Sequence, residues 1–195
     1  MTTGLNPQTF EHLQLGAGLF LRDFNASAAE TAASLRSLIA SAVADGRGII
    51  GATRGGGSFQ CTPKWREIEA DGLRSPVKGG AVIDGWTVKL TGTMLEITPD
   101  NFAAALTCAT VHKEGSVTTL RVRTDVQDAD YIPSLCWIGD TSQGFVLIEL
   151  TNVLNLKGAA FTFTDKGEGT LPFEFQAHQA DFDAEEAPLR VMFIN

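Results

Sequence analysis

The stretch from Gly85 to Ile97, GWTVKLTGTMLEI, alternates well. Trp86, Val88, Leu90 and Met94 fall on one side of an extended chain, and Thr87, Lys89, Thr91 and Thr93 on the other. Successive side chains of a strand point to opposite faces, so this pattern predicts a strand with one buried and one wet face, as in an antiparallel sheet. The pattern recurs along the chain. VTTLRVRT sets Leu120 and Val122 against Arg121 and Arg123, and FVLIELTN, AAFTFT, LPFEFQAH and LRVMFIN read as further strands. KWREIEADG reads as a strand closing in an Asp71–Gly72 turn, and Lys78 with Gly79 and Gly80 marks another loop.

Many strands without a strand–helix–strand rhythm exclude a parallel doubly wound sheet. The pattern predicts one mainly β domain over residues 1–195, a β-sandwich or rolled antiparallel sheets, with two helices. The first spans about Ala28–Ala44: Ser27 and Glu30 fit a capping box, Leu35, Leu38, Ile39, Ala42 and Val43 share one stripe, and Gly46 is a stop signal. The second, flanking helix spans about Pro99–Cys108, with Thr98 as N-cap, Pro99 at the first helical position and Asp100 near the positive end of the dipole. Residues 1–24 read as an N-terminal arm with a short strand at Gly18–Leu21.

With 44% hydrophobic and 19% charged residues the chain supports a packed core. No apolar run approaches the roughly 18 residues of a membrane span. The start, MTTGLNPQTFEHLQLG, lacks the basic and apolar regions of a secretory signal. Cys61, Cys108 and Cys136 are odd in number and form no C-x-x-C, which predicts reduced thiols in a cytoplasmically made protein. A net charge of −8 argues against gripping DNA by phosphate neutralisation, yet suits a surface past which DNA slides.

The stretch DGRGIIGATRGGGS, Asp45–Ser58, contains two nucleotide-like patterns. Gly46 to Gly51 spells G-x-G-x-x-G, but the helix precedes it instead of opening after it. Gly51 to Ser58 has phosphate-loop spacing with Gly57 where the lysine belongs. The reading preferred here is a strand, GIIGAT, running into a flexible loop at Arg54–Ser58. His12, His112 and His178 share no metal-like spacing. Asp125, Asp128 and Asp130, and the acidic turn DFDAEE (181–186), lack the glycine and distal glutamate of a calcium loop. Glu67 and Glu69 read as a wet strand face, not a glycosidase pair, and no G-x-S-x-G is present. No catalytic residue, metal or cofactor is expected.

Three segments, taken in order, carry a resemblance: GIIGATRGGGSFQCTPKWREIEADGLRSPVKG, then IDGWTVKLTGTMLEITPDNFAAAL, then DKGEGTLPFEFQAHQ ahead of a short final strand. Over about residues 15–180 the chain resembles the major tail tube proteins of long-tailed bacteriophages and related prophages. The resemblance implies a β-sandwich flanked by a helix, assembled as hexameric rings that stack into a hollow tube. It implies a structural virion protein without enzymatic activity, made in the host cytoplasm and placed in the virion tail, with no membrane partner. The implied partners are other copies of the chain, a tape-measure protein, tail-tip and terminator proteins, and double-stranded DNA passing through the lumen unbound. A tube-initiating or related ring protein of a tail or of a contractile injection or secretion system is the alternative. By segment, Thr53–Lys64 matches a mobile loop that reaches the adjoining ring. Arg54, Gly55, Gly56, Gly57, Phe59 and Trp65 are the candidate inter-subunit residues. The helix at 28–44 departs from simpler members, and an outer-surface or inter-subunit position is expected for it.

Overall fold

The structure, a computed structural model, describes residues 13–46 and 48–195. His12 and the first half of the expected arm lie outside the described residues. Among the described residues nine strands and two α-helices follow in the order β1 (Leu19–Arg22), α1 (Ala32–Ala44), β2 (Thr53–Glu67), β3 (Ala81–Met94), α2 (Pro99–Leu106), β4 (Ala109–Glu114), β5 (Val117–Val122), β6 (Ile132–Thr141), β7 (Gly144–Asn155), β8 (Leu171–Gln176) and β9 (Leu189–Ile194). The protein is mainly β, and every strand pairing is antiparallel.

Strand β7 is the spine. β6 pairs with it from Gly144 to Val153 and β9 from Phe145 to Leu150, and its last two residues pair with β8. The exchange of partners happens around Asn152, whose φ of 48° bends the strand out of the ladder. From β7 the sheet continues β8-β3-β2 on one side and β6-β1 on the other. The two ends nearly meet. The Arg22 amide donates to the Gly48 carbonyl at 2.6 Å, the Ile50 amide donates to the Phe20 carbonyl at 3.2 Å, and Leu21 bridges Ile49. Gly48 must be glycine here: its φ is +69°, and a Cβ would lie 2.0 Å from the Arg22 carbonyl oxygen. The expected rolled sheet is thus a roll closed through a few bonds. β4 and β5 stand apart as a separate hairpin.

Two cores result. Phe20, Val88, Leu90, Met94, Leu135, Leu150, Phe173 and Phe175 fill the roll. On the outer face of β1, β6 and β7, Leu21, Cys136, Ile138 and Leu147 receive Leu35, Leu38, Ile39 and Ala42 of α1. The extra helix is therefore a third layer of the fold. It starts later than expected. Buried Phe24 and Ala26 hold the chain against the sheet in a 3-10 turn, Ala26–Ala28, so Ser27 and Glu30 do not cap a helix. Thr31 and Ser34 form the capping box instead, each side-chain oxygen accepting from the other's amide at 3.1 and 2.9 Å.

α2 follows expectation, with Thr98 accepting from the Asn101 amide at 3.2 Å. It ends two residues early because Thr107 adopts φ 70° and its hydroxyl donates to the Asn155 carbonyl. Two buried asparagines fasten α2 over one end of the roll. Asn101 donates to Ile50 and Glu96 carbonyls at 2.8 and 2.9 Å, and Asn155 donates to Ala105 at 2.7 Å while accepting from the Glu174 amide.

Several other expectations change. AAFTFT is an irregular segment whose one strand-like pairing among the described residues is the Thr162–Thr170 bridge. GIIGAT is not a strand of its own: Ile49 makes an isolated bridge to Leu21, and its last residue, Thr53, opens β2. The segment from Thr53 to Lys64 is not a loop but the first four-fifths of β2, because the facing strand β3 supplies a partner for nearly its whole length. The strands β4 and β6 carry no clean alternation in sequence. β6 lies between β1 and β7 with α1 on one face and the roll's core on the other, so Leu135, Cys136 and Ile138 are all buried.

Candidate assembly surface

β2 and β3 are longer than the roll they belong to. β8 pairs with β3 only from Lys89 to Met94, and the Ala177 amide adds one bond to Val88. Beyond that point the two strands continue as a two-stranded ribbon, from about Gln60 on β2 and back to about Trp86 on β3. Among the described residues neither outer edge of this ribbon has a strand partner.

The ribbon has two unlike faces. Paired residues share a face. The pairs Phe59–Leu90, Cys61–Val88, Pro63–Trp86 and Trp65–Ile83 therefore extend one apolar stripe outward from the core. The register shift between Lys64 and Trp65 keeps Ile83 on that face despite its odd number. Val88 and Leu90 are buried, whereas Phe59 is 37%, Trp86 41% and Trp65 61% exposed. The opposite face carries Gln60, Thr62, Lys64 and Arg66, with Arg66 donating to Asp84 at 3.1 Å. At the tip, residues 68–80 fold into turns closed by Leu73–Ala70, Gly80–Val77 and Ile68–Gly80 backbone bonds and expose Ile68, Leu73 and Val77. Glu67 ends β2 and Glu69 sits in this tip, so they do not share a strand face.

All six candidate residues lie on β2, at two different places. Arg54 to Gly57 form the bulged root of the strand, where the register shifts between Thr53 and Gly57. Arg54 is ion-paired to Glu168, and this contact holds the Glu168 carboxyl below the usual carboxylate range. Gly55 and Gly56 take φ of +73° and +71° with open space where a Cβ would stand. Gly57 is different: a Cβ would lie 2.3 Å from the Thr91 carbonyl oxygen. Replacing all three glycines therefore disturbs the roll itself, and such a variant does not isolate stacking. Phe59 marks the mouth of the roll, beside a cleft of about 310 Å³ walled by Phe20, Leu90, Trp137, Ile148 and Gly55–Gly57. Trp65 lies well out on the ribbon.

Sequence reasoning missed Trp86 and Ile83 as surface residues. Alternation placed Trp86 correctly on the face shared with Val88 and Leu90, but it does not say where the second layer covering that face ends.

The remaining chemistry-bearing residues are accounted for structurally. The G-x-G-x-x-G run follows α1 instead of opening a helix, and its Ile50 carbonyl accepts from the Asn101 side chain in the first turn of α2. Asp130 is held by Arg123 and by the Gln127 amide, which keep its carboxyl below the usual range, and Asp125 also contacts Arg123. His178 stacks edge-on against Tyr131, and His112 lies exposed on β4. Cys136 is sealed under α1, where burial and then the Glu149 carboxylate push its thiol up to about 12. No group of three or more His, Cys, Asp or Glu that could hold a metal ion occurs among the described residues, and no helix among them is long and apolar enough to cross a membrane. No protein-family model matches this chain, and no curated protein matches it at a significant level.

Proposed function

We propose that this chain is a structural protein that assembles with copies of itself into stacked rings, forming a tail tube through which DNA is delivered. The observation that carries the reading is the ribbon. An isolated two-stranded ribbon is marginal in water, and among the described residues this one has an uncovered apolar stripe and two unpaired edges. Exposed edges and apolar faces pair with other chains unless they are blocked. A partner that lays apolar residues on the stripe removes the first cost, and one whose strand pairs along an edge removes the second.

Magnitudes favour rings over pairs. Fully burying a large apolar side chain contributes about 1.5–3 kcal/mol. Phe59, Trp65, Ile83 and Trp86 are each roughly half exposed already, so covering all four yields on the order of 3–6 kcal/mol by that scale. Association costs about 4–15 kcal/mol. One ribbon therefore holds one neighbour weakly. Copies fixed in a ring present their ribbons together, and the later contacts become intramolecular. The hexameric count itself comes from the resemblance. The net charge of −8 fits a channel that does not trap phosphates, and the reading assigns no catalysis, cofactor or membrane contact.

The test is negative-stain electron microscopy of concentrated protein. Rings or hollow tubes are expected, and Trp65→Ala/Trp86→Ala should remove them. Particles that stay single-chain at every concentration contradict the proposal. Stacks that stop at one or two layers move it to a tube-initiating ring protein.

A further inference from the structure

The chain contains three Asp–Gly pairs, Asp45–Gly46, Asp71–Gly72 and Asp84–Gly85. In such a pair the glycine nitrogen reaches the preceding side-chain carboxyl with little hindrance, because glycine has no Cβ and its backbone turns freely. As dipeptides the three are alike. The fold makes them different.

Two of the pairs are engaged. The Gly46 amide, the nitrogen that would attack Asp45, donates to the Val43 carbonyl at 3.2 Å where α1 ends. Asp84 is the β3 residue skipped by the register shift between Lys64 and Trp65, and the Arg66 Nε lies 3.1 Å from each of its carboxylate oxygens. The third pair is free on both sides. Asp71 and Gly72 are the exposed central residues of a turn at the ribbon tip, which the Leu73 amide closes on the Ala70 carbonyl at 3.0 Å. Among the described residues no donor meets the Asp71 carboxyl and no acceptor meets the Gly72 amide. Gly72 takes φ +89°, as the third residue of a type II turn does, with open space where a Cβ would stand. An exposed turn held by few bonds opens locally at little cost.

We infer that Asp71–Gly72 is a site of spontaneous modification, where the backbone rearranges to isoaspartate. The Gly72 nitrogen attacks Cγ of the Asp71 carboxylic acid. An N–Cγ bond forms, the carboxyl hydroxyl and the Gly72 amide proton leave as water, and a five-membered succinimide results. One water then adds back. Opening at Cγ restores aspartate. Opening at the Asp71 backbone carbonyl carbon routes the main chain through Cβ and Cγ and leaves the former carbonyl as the free carboxylate. Water is the only other reactant. The product has the mass and charge of the original chain but one more main-chain carbon inside the turn, so the ribbon tip changes shape as the molecule ages. The rearrangement needs a single chain, whether or not copies assemble.

The test is prolonged incubation of the full wild-type chain as a dilute sample, folded and in urea, followed by trypsin and electron-transfer fragmentation, which marks the lengthened backbone. Trypsin leaves one pair in each of the peptides Ser37–Arg47, Glu67–Arg74 and Gly79–Lys89. In the folded chain isoaspartate should accumulate in Glu67–Arg74 about tenfold faster than in the other two, and in urea the three rates should converge. Arg66→Gln should raise the yield at Asp84, and Asp71→Glu should remove the signal from the tip peptide without moving the unfolding midpoint. Equal rates at the three pairs in the folded chain overturn the inference, as does faster reaction at Asp45 or Asp84. A ranking that survives in urea also overturns it, because sequence context and not the turn would then select the site.

Discussion

The inner and outer halves of the β2–β3 pair are built from the same two strands, yet they obey different economies. In the inner half, Leu90 and Val88 are buried against Phe173 and Phe175, and β8 extends the ladder. In the outer half, the same face carries Trp65, Trp86 and Ile83, with no second layer and no third strand among the described residues. Alternation is unbroken across the boundary. What changes is the supply of partners within the chain, and the outer half fits a partner from outside it.

The sharpest way to break this comparison is to truncate one aromatic in each half. Phe173→Ala should cost about 3–5 kcal/mol in urea unfolding, the usual range for an aromatic lost from a core. Trp65→Ala should change the same measurement by no more than about 0.5 kcal/mol, as surface substitutions do, while abolishing assembly. Equal costs would place the outer half inside the cooperative core.

Glycines in the two halves give a smaller contrast. Gly57→Ala drives a Cβ into the Thr91 carbonyl and should destabilise the monomer by about 1–3 kcal/mol, as overpacking does. Gly85, in the outer half, has open space around its missing Cβ and a negative φ, so Gly85→Ala should be neutral within about 0.5 kcal/mol. Thermal unfolding of the two variants measures the difference directly.

Thiol labelling compares the halves without altering them. Cys136 is buried and its thiol stands near 12, so it should resist alkylation at pH 8 until the protein unfolds. Cys61 sits where the stripe leaves the roll, partly exposed, with its thiol pushed up by burial to a lesser extent. It should react slowly in the monomer and become protected on assembly, as read by mass spectrometry of its peptide.

The smallest expected effect is at the boundary itself. Lys89 donates to Glu174 at 2.6 Å, and this bond holds the Glu174 carboxyl below its usual range. A carboxylate favoured in its charged form in the folded state contributes stability above the ordinary carboxylate range. That contribution fades as pH falls through its lowered folded value. Wild-type and Glu174→Gln unfolding midpoints should therefore differ slightly at neutral pH and converge below about pH 4. A gap that widened on acidification would contradict the assignment.

Legibility in the sequence followed the same division. Local signals held where local chemistry decides: Thr98 and Pro99 open α2, and the alternation from Trp86 to Met94 gives the β3 face. They failed where distant partners decide. Arg54–Ser58 looks like a loop because of its glycines, and the resemblance extends that loop over Thr53–Lys64, yet β3 lies alongside and makes it a strand. β6 shows no alternation because both of its faces are covered, by α1 and by the roll. Ser27 and Glu30 spell a capping box, but Phe24 and Ala26 are anchored on the sheet and delay the helix to Thr31. Of the candidate site, Phe59 and Trp65 fall on the uncovered stripe. Trp86 and Ile83 complete it only when the register of β2 on β3 is known.

Sedimentation velocity of the wild-type chain across a wide concentration range tests the central claim most directly. The ribbon account predicts a sharp onset, with small species below a threshold and large, open-ended particles above it, and no onset for Trp65→Ala/Trp86→Ala. A single monomeric boundary at every concentration, identical for both proteins, would contradict it.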